Sequence, residues 1–117
     1  MNSPINTNTT QWTTLCQQSD LVPHSGVAAL HNSEQIALFY LPGETDQIFA
    51  VSNYDPVAKA NVIARGLVGD IEGRLMIASP LYKQRYDLQS GECLDAEELR
   101  LKRWEVRLRE GVVEIKG

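Results

Sequence analysis

Thiolates and imidazoles are the side chains best suited to hold a metal or pass electrons. This chain has four: Cys16, His24, His31 and Cys93. No two of them share the short spacing of a zinc or iron–sulfur motif. They read as reduced packing cysteines and as surface or loop histidines. Two carboxylates stand out for their neighbours. Asp55 precedes Pro56, and Asp87 opens Asp87-Leu88-Gln89-Ser90-Gly91. Carboxylates in such places accept backbone hydrogen bonds at turns. An acid–base pair would need a nucleophile, a histidine base or a phosphate loop beside it, and the sequence supplies none. Ser79 leads into Pro80 and lies outside any Gly-x-Ser-x-Gly elbow. Gly-x-Gly-x-x-Gly and Walker patterns do not occur. What remains is a mixed run, Leu81-Tyr82-Lys83-Gln84-Arg85. Those residue types suit either a solvated hairpin mouth or a docking loop.

The elements that must position these residues are short strands. Residues 12–16 read as a first strand, and Pro23 limits residues 19–23 to a turn or one helical turn. Residues 27–30 form a short apolar run. Residues 35–41 give the clearest strand, with Ile36, Leu38 and Tyr40 on one side and Ala37, Phe39 and Leu41 on the other. Both sides are apolar, so both must be covered. Residues 47–51 repeat that pattern. Residues 53–73 read as loop, and 74–78 as a strand running into Ser79-Pro80. Residues 84–88 and 92–94 pair across the Gln89-Ser90-Gly91 turn. Asp95 is placed to cap one helical turn over 95–98. In residues 104–109, Trp104, Val106 and Leu108 alternate with Glu105, Arg107 and Arg109, the pattern of one half-buried strand. Glu110-Gly111 then turns the chain toward Val113 and Ile115. Many short strands at turn-marked intervals predict an all-β domain.

The bulk numbers agree with a single domain. The chain has 117 residues, of which 43% are hydrophobic and 22% charged. Its net charge of −4 argues against a general nucleic-acid or anionic-membrane binder, because both need a cationic field. Residues 1–10 are polar and read as a flexible tail, with one domain over 11–117. They carry no apolar signal core, and no apolar run approaches the ~20 residues of a membrane span. A cytoplasmic location with free thiols is therefore expected.

The loop and hairpin around Ser79 resemble the second cluster-binding box of a Rieske iron–sulfur domain. That box is a Cys-Pro-x-His loop leading into a Phe-Asp-Leu-x-x-Gly-Glu hairpin. Here it reads Ser79-Pro80-Leu81-Tyr82, then Tyr86-Asp87-Leu88-Gln89-Ser90-Gly91-Glu92. The first box, usually Cys-x-His, falls on Asp55-Pro56-Val57. The resemblance implies a Rieske-like (ISP-type) antiparallel β-sandwich or barrel, with a small inserted subdomain over about residues 53–94. It also implies that all four ligand positions are changed, to Asp55, Val57, Ser79 and Tyr82. Two thiolates and two imidazoles are needed for such a centre.

The ligand-free pattern is similar to the small subunits of bacterial NAD(P)H-dependent assimilatory nitrite reductase. Trp12 with Cys16, Ala60-Asn61-Val62, Arg65-Gly66, Ser79-Pro80-Leu81-Tyr82-Lys83-Gln84 and Gly91-Glu92-Cys93 carry that likeness. It implies a subunit of an oxidoreductase, with no catalytic residue, no metal and no cofactor of its own. FAD, a [4Fe–4S] cluster and sirohaem are expected in the large subunit, which is the expected partner and reduces nitrite to ammonium. Leu81, Tyr82, Lys83, Gln84 and Arg85 are the candidate docking residues. The competing readings are a Rieske-type [2Fe–2S] electron carrier and a free-standing β-barrel protein-binding module.

Overall fold

The computed structural model describes residues 11–117, so the expected tail over 1–10 lies outside the described residues. The strands in chain order are β1 (Trp12–Gln17), β2 (Ser25–His31), β3 (Glu34–Tyr40), β4 (Ile48–Ser52), β5 (Tyr54–Asp55) and β6 (Ala60–Asn61). They continue with β7 (Leu67–Ile71), β8 (Arg74–Ala78), β9 (Arg85–Asp87), β10 (Arg103–Trp104), β11 (Val106–Arg109) and β12 (Val112–Lys116). Single 3-10 turns occupy Gln18–Asp20 and Ile63–Arg65. No helix among the described residues is long and apolar enough to cross a membrane.

The two-faced apolar pattern of β3 and β4 has a direct structural cause. They are the inner strands of an antiparallel sheet ordered β10-β4-β3-β2. One face presents Ile36, Leu38, Ile48 and Ala50 to Trp104, Val113 and Ile115. The other presents Ala37, Phe39, Phe49 and Val51 to Ile63, Ile77, Tyr86, Leu88 and Leu101. A sheet covered on both faces has no side to leave polar. The first face packs on a terminal sheet ordered β1-β12-β11, and the two sheets form the base. A bulge between Thr14 and Cys16 lets Leu15 and Cys16 both pack on the base core. The second face packs on a small sheet ordered β7-β8-β9.

Three expectations need correction. Residues 53–73 are not simply loop, since they hold β5, β6, a 3-10 turn and β7. Gly69 and Asp70 hide β7 in the sequence, but it pairs with β8 from Leu67↔Ala78 to Ile71↔Arg74. The turn between them is Glu72-Gly73, both left-handed (φ 51° and 84°), as a two-residue hairpin requires. Residues 104–109 are not one strand. β10 pairs with β4 and β11 pairs with β12, so the chain changes sheets at Glu105. The alternation survives because both sheets face one core. Residues 95–98 do not form a helical turn capped by Asp95. A β-turn closes there through Leu99 N–H to Ala96 O (3.1 Å), and the Asp95 carboxylate is taken by Arg85.

Gly91 shows why the hairpin motif needs glycine. Its φ is 83°, and a Cβ there would collide with the Leu101 carbonyl oxygen. Its own carbonyl accepts from Leu101 N–H at 2.8 Å.

Candidate functional site

Two loops leave the ends of β4 and β8 and meet where Asp55 of the first accepts from Ser79 of the second. Asn53, buried, anchors the first loop. Its amide donates to Gln35 Oε1 (3.0 Å), while its Oδ1 accepts from Ala64 N–H (2.7 Å). Asp55 follows and is fully buried. Its Oδ1 accepts from the backbone N–H groups of Val57 (2.9 Å) and Ala58 (3.1 Å). Its Oδ2 accepts from the hydroxyl of Ser79, which is buried at the start of the second loop. A carboxylate can only accept, so three donors on its two oxygens compensate for its burial.

This contact joins the two positions that the resemblance aligns with the cluster's cysteine ligands. Val57, aligned with a histidine ligand, offers no donor atom. Tyr82, aligned with the other, is exposed. Cys16 packs on the base core and Cys93 belongs to the opposite cluster, so the two do not meet, and both are free thiols. Burial, then the charge of Asp20, pushes the Cys16 thiol up. Among the described residues no group of three or more His, Cys, Asp and Glu could hold a metal ion. The donor set at the two boxes does not fit a [2Fe–2S] centre.

Asp87 does not pair with Asp55. It accepts from the N–H groups of Gln89 (2.7 Å) and Ser90 (3.1 Å) and binds Arg74 through Oδ2 (2.9 Å). Its work is to hold the hairpin turn, as its place in the sequence predicts. Beneath the loops, Tyr86 is fully buried, and its hydroxyl has no partner among the described residues. Burial chiefly, then negative charge at Asp55, Cys93 and Asp95, pushes its phenol up to about 12.

The five candidate docking residues divide. Leu81, Tyr82 and Lys83 are exposed. Gln84 turns its amide oxygen inward, where it has no partner among the described residues. Arg85 grips Asp95 in a two-pronged ion pair (2.6 and 3.1 Å), which raises the guanidinium and lowers the carboxyl. Three further exposed residues of these loops escape a reading of the second box alone: Tyr54, Lys59 and Leu67. The signal that finds Lys59 is a repeat, because Asp55-Pro56-Val57-Ala58-Lys59 matches Ser79-Pro80-Leu81-Tyr82-Lys83 in its Pro and Lys spacing.

A family model for the Rieske-like [2Fe-2S] domain matches residues 11–116. The chain is also 43% identical over 107 residues to the NADH nitrite reductase small subunit of Escherichia coli K12, covering 92% of this chain and 98% of that one. The chain belongs to the Rieske-like nitrite reductase small-subunit family. A crystal structure described as a nitrite reductase NADPH small subunit superposes on this family member with a TM-score of 0.87 at 43% identity, over 92% of this chain and 99% of the other. The family sequence also occurs inside a much longer protein. The NAD(P)H nitrite reductase large subunit of Klebsiella oxytoca is 37% identical over 102 residues, which is 87% of this chain and 10% of that one. The all-β Rieske-like fold and the small-subunit resemblance are thus both borne out.

Proposed function

We propose that this chain is the non-catalytic small subunit of an NAD(P)H-dependent nitrite reductase and works in the cytoplasm. The enzyme reduces nitrite to ammonium. The large subunit supplies FAD, a [4Fe–4S] cluster and sirohaem, and this chain docks on it without carrying a cluster of its own. One observation carries the reading: a buried Asp55–Ser79 contact stands at two cluster-ligand positions, in a chain alike to such small subunits over nearly all its length. The occurrence of a similar segment within a large-subunit chain supports a working contact between the two parts. The missing donors weigh against the electron carrier.

The test is affinity purification of the tagged full chain from cells grown on nitrite. The expected result is recovery of one much larger flavin- and haem-containing protein in a stable complex. Recovery of the chain alone, with growth on nitrite unaffected by its loss, would favour the free-standing binding module instead.

A further inference from the structure

The two loops that meet at Asp55 and Ser79 are built alike. Each begins on the buried polar residue and continues with proline. Each then closes by a backbone bond from a lysine N–H to the first residue's carbonyl: Lys59 to Asp55 at 2.7 Å and Lys83 to Ser79 at 3.1 Å. Both lysines hold left-handed backbone, with φ of 57° and 64°. Few non-glycine residues adopt it. The loops therefore present two lysines in matching, fixed backbone settings on either side of the polar contact.

The same end of the molecule gathers exposed apolar surface. Six large hydrophobic side chains are exposed among the described residues, and Tyr54, Leu67, Leu81 and Tyr82 are four of them. Tyr54 adjoins Asp55, and Leu67 pairs with Ala78 beside Ser79. Charge is distributed just as unevenly. Of the eleven lysines and arginines, six are in ion pairs: Arg74, Arg85, Arg100, Lys102, Arg107 and Lys116. Three of the other five, Lys59, Arg65 and Lys83, belong to this end. Across residues 54–68 and 79–85 the sole carboxylate is Asp55, which is buried and satisfied. A chain of net charge −4 thus presents one cationic, aromatic end.

Resting on the small-subunit reading above, we infer that this two-loop end is the docking surface for the large subunit. It fits a partner surface with an apolar recess rimmed by carboxylates, with Tyr82 and Leu81 entering the recess and Lys59, Arg65 and Lys83 meeting the rim. Exposed aromatic and apolar residues supply the interface core, and rim charges set the association rate. A second copy docked head to head would set these cations against themselves, which opposes self-association through this face.

The experiment measures binding kinetics between the purified full chain and the purified large subunit, at low and high ionic strength. Asparagine tolerates left-handed backbone, so Lys59→Asn with Lys83→Asn removes charge without straining the loops. The expected result is association slowed on the order of tenfold at low salt, with a flatter salt dependence. Lys59→Arg with Lys83→Arg should restore both. Leu81→Ser with Tyr82→Ser should act on dissociation instead, and Arg109→Asn, on the terminal sheet, should change neither rate. If the wild-type chain binds and the lysine and apolar pairs both behave like it, the docking assignment falls and the small-subunit reading stands. If the wild-type chain does not bind the large subunit, both fall. A dimer of the chain alone that the lysine pair dissolves would also overturn the assignment.

Discussion

In the base, Trp104, Val113 and Ile115 close over Ile36 and Leu38, and contact is made almost wholly through carbon. At the tip, the corresponding closure is a hydroxyl and two backbone amides on one carboxylate, with large apolar side chains left outside. Apolar burial is non-directional and holds a sheet against a sheet. A hydrogen-bonded carboxylate fixes only the segments that reach it, but fixes them in one geometry. The contrast separates a region built for stability from one built to hold a surface in shape. Four perturbations sharpen it, from the largest effect to the smallest.

Removing the ring of Trp104 should hurt the base most. Trp104→Ala leaves a cavity between two sheets and should lower stability by roughly 3–5 kcal/mol, read from denaturant midpoints. Asp55→Ala comes next. It strands the Ser79 hydroxyl and two amides, and should cost about 1–3 kcal/mol with faster amide exchange confined to residues 53–65 and 79–84. Exchange rising equally throughout the base would contradict the separation. Tyr82→Ala should leave stability within about 0.5 kcal/mol while weakening partner binding. A loss of folding together with unchanged binding by folded material would show Tyr82 to be scaffold.

Tyr86→Phe is the smallest and the most diagnostic of polarity. The buried hydroxyl has no partner among the described residues, so its removal should be neutral or slightly stabilising near neutral pH. The pH dependence follows from its raised phenol. Below pH ~10 the phenol is neutral both folded and unfolded, and its full contribution is present. As pH climbs from there to about 12, the unfolded phenol ionises first and stability falls. Tyr86→Phe should remove that part of the alkaline loss, as pH-dependent unfolding curves would show.

The base was the more legible region, because its pattern is made by apolar periodicity. The two-faced run in β3 predicts a sheet covered on both sides, and the alternation from Trp104 to Leu108 predicts the buried face correctly. What periodicity cannot show is which sheet a strand joins. Trp104 and Val106 share a core yet pair with different neighbours, a choice made by long-range hydrogen bonds. β7 stayed hidden because Gly69 and Asp70 weaken its local preference while β8 supplies the ladder. At the tip, the turn role of Asp87 follows from local sequence. The Asp55–Ser79 contact spans 24 positions, and no local rule connects the two residues. Arg85 looked available in the sequence because its partner, Asp95, lies on another segment.

The most direct measurement is NADH-dependent nitrite reduction by the purified large subunit, with and without this chain, alongside iron analysis of the chain alone. The account predicts that an iron-free chain raises or restores activity. Stoichiometric iron in the chain, with activity lost when that iron is removed, would contradict it and revive the electron-carrier reading.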